Sequence, residues 1–131
     1  MAENASIAIY DGESTPVERT YNPTGIENGV ASYQDYSTET FPPGQGTLSI
    51  SMSKKGVVRR VPITSRLNRV VTKTVDGVDF EVVADYCIVK TEVLVPETWP
   101  VALTHNAVTL HKNLLDTDVV QGYTERGEKV W

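Results

Sequence analysis

The sequence predicts an α+β fold: an antiparallel sheet of six to seven strands, an N-terminal hairpin plus a main sheet, followed by two C-terminal helices. Three observations predict it. Apolar and polar residues alternate with period two through roughly the first ninety residues. Gly, Asn, Asp and Pro punctuate that region at the spacing of hairpins. Beyond Pro96 the apolar period changes to that of a helix.

Taken in order, "ASIAIY" (Ala5 to Tyr10) reads as a strand, "DGES" as a turn around Asp11-Gly12, and "TPVERTY" as the returning strand. Asn22-Pro23 and Asn28-Gly29 then interrupt the chain before "GVASYQDY", a third strand, and "TETFPPGQG" is a loop. In "TLSISMS", Leu48, Ile50 and Met52 point one way and Thr47, Ser49, Ser51 and Ser53 the other. The parity continues past a turn at Lys54-Lys55-Gly56. Val61, Ile63 and Leu67 share the apolar side, and Arg60, Thr64, Arg66 and Asn68 the polar one. Pro62 falls on the polar side and predicts a bulge or an edge there. After the turn "TVDGVD", the segment "FEVVADYCIVKTEVLVP" reads as one bent strand or two short ones. Cys87, Val89, Val93 and Val95 take its core side, and Ile88, Lys90 and Glu92 the other.

The helical part begins with Pro100 in a first-turn position, and Leu103, Ala107, Leu110 and Leu114 recur at helical spacing. Asp116-Thr117-Asp118 offers a cap for a second helix, "VVQGYTER", stopped by Gly127. Residues 1–131 thus form a single domain, strands in 1–95 and helices with a C-terminal tail in 97–131. One amphipathic helix and a short partner cover so wide a sheet poorly. Cover from a second subunit is expected, hence an obligate homodimer with Leu103, Ala107, Leu110 and Leu114 at its interface.

Composition excludes several classes. The N-terminus lacks the basic and apolar regions of a signal peptide, and no apolar run approaches the roughly 18 residues of a membrane span. Cytosol-like surroundings and no membrane partner are expected. Cys87, the single cysteine, excludes an internal disulfide or a cysteine-based metal cluster, and the Asn4-Ala5-Ser6 sequon is incidental. His105 and His111 lie on different sides of the predicted helix and cannot share a metal. Asp76 and Asp79 lack the following bidentate Glu of a calcium loop, and Gly44-Gln45-Gly46 lacks the lysine of a phosphate loop. No serine stands in a nucleophile-elbow context. No enzyme, cofactor or metal is expected.

The strongest functional signal is electrostatic. The chain carries a net charge of −5, yet seven of its twelve basic residues lie between Ser51 and Lys73, and no acid occurs from Thr40 to Val75. Segregated charge of this kind marks a face for an anion. Arginine-rich strands interleaved with Ser, Thr and Asn supply phosphate-binding charge and donors for sugars and bases. No aromatic residue occurs between Phe41 and Phe80, so these strands hold no stacking platform. A cytosolic dimeric β-sheet nucleic-acid-binding module that forms no shell fits the same residues.

The order of segments resembles the coat proteins of single-stranded RNA bacteriophages, the leviviruses. The resemblance spans nearly the whole chain: the hairpin "IAIYDGESTPVERTY", then "NGVASY", the strand "TLSIS", the basic hairpin "KKGVVRR", the loop "TVDGVD", a valine-rich strand ending at Pro96, two helices, and a closing Trp131. It implies an interlocked dimer whose helices pack across the partner's strands. It implies assembly in the bacterial host cytoplasm into an icosahedral virion capsid enclosing single-stranded genomic RNA against the polar sheet side. Thr74, Val75, Asp76, Gly77, Val78 and Asp79 would make shell contacts at symmetry axes.

The resemblance also extends to repression of translation through an RNA hairpin, with a partial match. Thr47 and Ser49 stand where the family has its base-pocket Thr and Ser, and Arg60 where a basic residue contacts RNA. Ser51 replaces an arginine, Thr64 a lysine, Ile88 a stacking tyrosine and Lys90 an asparagine. With the charge of the basic stretch added, the expected RNA-binding set is Thr47, Ser49, Ser51, Lys54, Lys55, Arg59, Arg60, Thr64, Arg66 and Lys90.

Overall fold

Alternating strands separated by residues that tolerate a left-handed backbone give hairpins, and the computed structural model, described over residues 5–128, is built from them. Asn4 of the sequon and the closing Trp131 lie outside the described residues. The chain falls into two compact units: the residues up to Ser53 together with Arg60–Glu92, and Lys54–Arg59 together with the chain from Val93 onward.

The first unit carries most of a seven-stranded sheet in which β1 (Ile7–Tyr10), β2 (Glu18–Glu27), β3 (Val30–Asp35), β4 (Thr47–Ser51) and β6 (Val58–Val75) are successive neighbours. The short β5 (Ser53–Lys55) also pairs with β6, as does β7 (Val78–Pro96). Two hairpins turn on residues with positive φ, Asn28-Gly29 at 54° and 77° and Asp76-Gly77 at 52° and 78°. This is the left-handed pair that a tight two-residue turn requires.

Three boundaries differ from the sequence expectation, each for a local reason. The first hairpin does not turn tightly at Asp11-Gly12. The Asp11 carboxylate accepts the backbone N–H of Val17 at 3.0 Å, closing a wider loop, and β2 starts at Glu18. Asn22-Pro23 does not break β2, which absorbs the proline through a register shift between Pro23 and Gly25. At Pro62 there is a lapse in the ladder. The register that sets Ile50 opposite Ile63 would place Ser51 opposite Pro62, which has no N–H to donate, and β4 ends there before β5 resumes at Ser53. Lys54 and Lys55 therefore lie in β5, and the turn falls at Gly56-Val57.

The pairing fixes the two faces. Thr47 sits opposite Arg66 and Ser49 opposite Thr64 on one side, while Leu48 and Ile50 face Ser65 and Ile63 on the other. The apolar side is open: Leu67 and Val89 are exposed, and so is Cys87, which the sequence placed on a core side. A strand face is buried only against a second layer, and among the described residues this unit holds strands and one 3₁₀ turn, Pro42–Gly44.

The second unit holds the β5–β6 turn, the end of β7, and helices α1 (Val101–Leu115) and α2 (Asp118–Thr124). Pro100 is the N-cap of α1, one residue before the predicted place, and Thr117 caps α2 by accepting the N–H of Val120. The Glu97 N–H donates to the Val57 carbonyl at 2.7 Å, and the Lys54 ammonium pairs with the Glu97 carboxylate at 2.7 Å. Thr104, Ala107 and Val108 of α1 line a hollow with Val93 to Pro96 and Trp99, and Val95 is buried. No residue of α1 is buried.

Candidate nucleic-acid interface

Residues directly across an antiparallel pair stand side by side on one face, so the strand register builds rows across the sheet. Gln34, Thr47 and Arg66 form one row over β3, β4 and β6; Ser32, Ser49 and Thr64 form the next. Both rows are polar throughout. Ser51, at the end of β4, lies across from Val30.

β7 extends this face. The Arg66 guanidinium lies 3.8 Å from the centroid of the Tyr86 ring, and Arg60 Nη2 donates to Glu92 Oε2 at 2.8 Å. Even-numbered residues of β6 and β7 therefore share a side, which by strand alternation also carries Ile88 and Lys90. Arg66 is braced from below: its Nε donates to Asn68 Oδ1 at 2.8 Å, and Asn68 Nδ2 donates to the Gln45 carbonyl at 3.2 Å. Gln45 is buried and accepts from Gln34 Nε2 at 2.6 Å through its own side chain.

The structure brings together Thr47, Ser49, Thr64 and Arg66, with Ser51 at the end of the same strand side. It does not bring all ten candidates to one face. Lys54 and Lys55 are adjacent in β5, and Arg59 and Arg60 adjacent in β6, so each pair points to opposite sides. Nor is the acid-free stretch acid-free in space. Lys54 pairs with Glu97, Arg60 with Glu92, and Arg69 with Asp85 at 2.6 Å. The hydrogen bond from Arg60 holds the Glu92 carboxyl below its ordinary pKa, and the same bond raises that of Arg60.

The six residues from Thr74 to Asp79 form the β6–β7 hairpin end, where Thr74 Oγ1 donates to Asp79 Oδ1. Of the helix candidates, Leu103, Leu110 and Leu114 are exposed large apolar residues, and Ala107 lines the hollow against β7. Among the described residues no three His, Cys, Asp or Glu come together as a metal site. No helix among them is long and apolar enough to cross a membrane.

Sequence reasoning missed two features. One is the fully buried Asp35, which accepts from Ser37 N at 2.8 Å and Thr38 Oγ1 at 2.8 Å and lies 3.6 Å from Arg19 Nη1. Arg19 in turn pairs with Asp11 at 3.0 Å, tying the first loop to the end of β3. Burial raises the Asp35 pKa, and the hydrogen bonds from Ser37 and Thr38 with the charge of Arg19 more than reverse it, leaving the carboxyl below its ordinary value. The other is Tyr86. The β4 and β6 strands carry no aromatic residue of their own, and the ring arrives from β7.

A family model described as levivirus coat protein matches residues 2–131. Among solved structures, the virus-like particle of bacteriophage ESE058 superposes with a TM-score of 0.86 at 20% identity, covering 99% of this chain and 100% of the other. That of Beihai levi-like virus 21 gives 0.80 at 18% identity with 99% of each chain covered. The protein capsid of bacteriophage GA gives 0.73 at 19% identity, covering 95% of this chain and 96% of that one. No curated protein matches the sequence. The curled antiparallel sheet followed by two C-terminal helices is the fold these structures share with the chain.

Proposed function

The chain belongs to the levivirus coat protein family, a structural rather than catalytic family, and from that premise we propose that it forms interlocked dimers that build an icosahedral shell around single-stranded RNA. The observation that carries the assembly reading is the apolar surface left bare within each unit: Leu67 and Val89 on the sheet, and Leu103, Leu110 and Leu114 on α1, are all exposed. A partner's α1 laid on the apolar sheet side removes both exposures at once.

The opposite side then faces RNA. Thr47, Ser49 and Thr64 offer hydroxyls, and Arg66 and Lys90 offer charge, a mixture suited to phosphate and sugar contacts. Packaging of the genome in the bacterial host cytoplasm is the primary role in this reading. Repression through one RNA hairpin is the finer role, supported by the side-by-side Ser49 and Thr64 next to Thr47 and Arg66.

The test is production of the chain alone in bacteria, then size-exclusion chromatography with absorbance at 260 and 280 nm and electron microscopy of the leading peak. Megadalton, nucleic-acid-rich shells are expected. A small dimer free of nucleic acid under conditions that assemble related coat proteins would overturn the shell reading in favour of a dimeric binding module.

A further inference from the structure

We propose that the hollow between α1 and the end of β7 is a binding site for one small apolar molecule of single-ring size, benzene or a close analogue. The site itself does not depend on the coat reading. The hollow measures about 140 Å³ and is formed within one unit, by the end of β7 with Trp99 on one side and Thr104, Ala107 and Val108 of α1 on the other. Its origin is in the sequence. The side that α1 turns to the strand carries short side chains, which leave a gap above β7, and no residue of α1 is buried. Packed protein interiors leave few voids larger than a water molecule, so a space of this size is exceptional.

Polarity decides the class of occupant. Apart from the Thr104 hydroxyl and the indole N–H of Trp99, the lining side chains are hydrocarbon. The hydroxyl is already used, donating to the Pro100 carbonyl at 3.3 Å. A buried water needs about three polar partners and finds too few here, whereas a void of about 150 Å³ walled by hydrocarbon stays dry and takes up benzene. The indole adds a ring against which an aromatic guest gains more than its buried area alone. Trp99 is 47% exposed while it lines the hollow, which leaves the guest a way in. Leu103, Leu110 and Leu114 lie on an adjoining stripe of the same helix. Under the interlocked-dimer reading, a guest that steadies α1 on β7 also steadies the stripe presented to a second copy.

The experiment adds benzene to the full chain in its smallest stable oligomer, labelled with nitrogen-15, and follows the Trp99 indole and Ala107 amide resonances. Benzoate, the same ring with a charge that the hollow cannot solvate, is the control. Benzene is expected to shift both resonances saturably and benzoate to leave them unchanged. At ten times its dissociation constant, benzene should move the folding equilibrium about elevenfold toward the folded state. Ala107→Leu fills the hollow with its own branched side chain. That variant should lose the benzene response and melt no lower than the unmodified protein.

A benzene response that rises without saturating, or that centres on the exposed Leu103, Leu110 and Leu114, overturns the site in favour of unspecific adsorption. No response in the unmodified protein, a result that needs no variant to fold, overturns it outright. If Ala107→Leu then also fails to form the unmodified oligomer, the space belongs to a side chain of the second copy. Neither readout involves RNA or shells, so failure here leaves the coat reading standing.

Discussion

Arg60 Nη2 lies 2.8 Å from Glu92 Oε2, so a cation that the sequence offers to a polyanion is already engaged by a carboxylate of the neighbouring strand. Both side chains are about half exposed, which makes the pair weak enough for a phosphate to compete with Glu92 for the guanidinium. Glu92→Gln removes the competitor and is expected to tighten RNA binding and steepen its logarithmic salt dependence by about 0.7 for the one contact freed. Arg60→Gln in the unmodified background should change binding less than Glu92→Gln does. Filter-binding titrations across a salt series check both; a Glu92→Gln protein indistinguishable from its parent would mean that Arg60 does not meet RNA.

Asp35 predicts a pH dependence. Its carboxylate is fully buried, bonded by Ser37 and Thr38 and faced by Arg19. A carboxyl whose pKa is lower folded than unfolded stabilises the fold fully above the unfolded value, near 4, and that contribution is lost as pH falls through the lower folded value. Asp35→Asn should cost about 2–3 kcal/mol at neutral pH, because Arg19 loses its buried partner. The gap from the parent should narrow below about pH 4. Urea unfolding of both proteins across pH measures it, and a gap that stays constant down to pH 2 would show that the Asp35 charge is not what matters.

Much of the fold was legible because it rests on local chemistry. Alternation in Thr47 to Ser51 and the turn pairs Asn28-Gly29 and Asp76-Gly77 each specify their own conformation within a few residues. The site was less legible, because its determinants are contacts across strands. Glu92 is thirty-two residues from Arg60 in the chain and a hydrogen bond away in space, so an acid-free span of sequence did not mean an acid-free surface. Tyr86 and Cys87 are neighbours on opposite sides of β7, and alternation alone sets the ring on the side of Ile88 and Lys90, but its partner there, Arg66, comes from a different strand. Asp35 and Arg19 read as ordinary surface charges until pairing of β2 with β3 brings them together.

Gly44 shows a close approach that the sequence cannot reveal. A methyl group on its Cα would overlap Cγ2 of Val70, an atom of a β-branched side chain with little freedom to move. Gly44→Ala is expected to destabilise the first unit by about 1–3 kcal/mol. Gly12→Ala, where nothing lies within 4 Å and φ is ordinary, should change stability little. Thermal melts of the two variants provide the comparison, and equal shifts would show that the chain near Pro42 relaxes around the added carbon.

The leucines of α1 test the dimer. Leu110 and Leu114 are 64% and 49% exposed, on a helix with no buried residue. Leu110→Gln or Leu114→Gln removes about 2 kcal/mol or more of burial per subunit if a partner's sheet covers them. Because each change occurs twice in a symmetric dimer, soluble dimer is expected to be lost and the chain to aggregate or unfold. Analytical ultracentrifugation distinguishes the outcomes. A stable, folded monomer from either variant would show that the helix is not part of an interlocked interface.

Gly77 tests the shell contacts separately from the dimer. Its φ of 78° lies in the left-handed region, and nothing stands within 4 Å of the position a Cβ would take, so any effect of Gly77→Ala is conformational. The cost to the hairpin is about 1 kcal/mol, too small to unfold a strand pair as long as β6 and β7. Gly77→Asn should cost less, since asparagine tolerates that region better. If the Asp76-Gly77 turn sits where subunits meet and must adopt more than one conformation, Gly77→Ala leaves dimers intact and yields fewer or irregular shells, while Gly77→Asn lies closer to the parent. Native mass spectrometry counts the dimers and electron microscopy the shells. Regular shells in normal yield from Gly77→Ala would remove this turn from the contacts that set curvature.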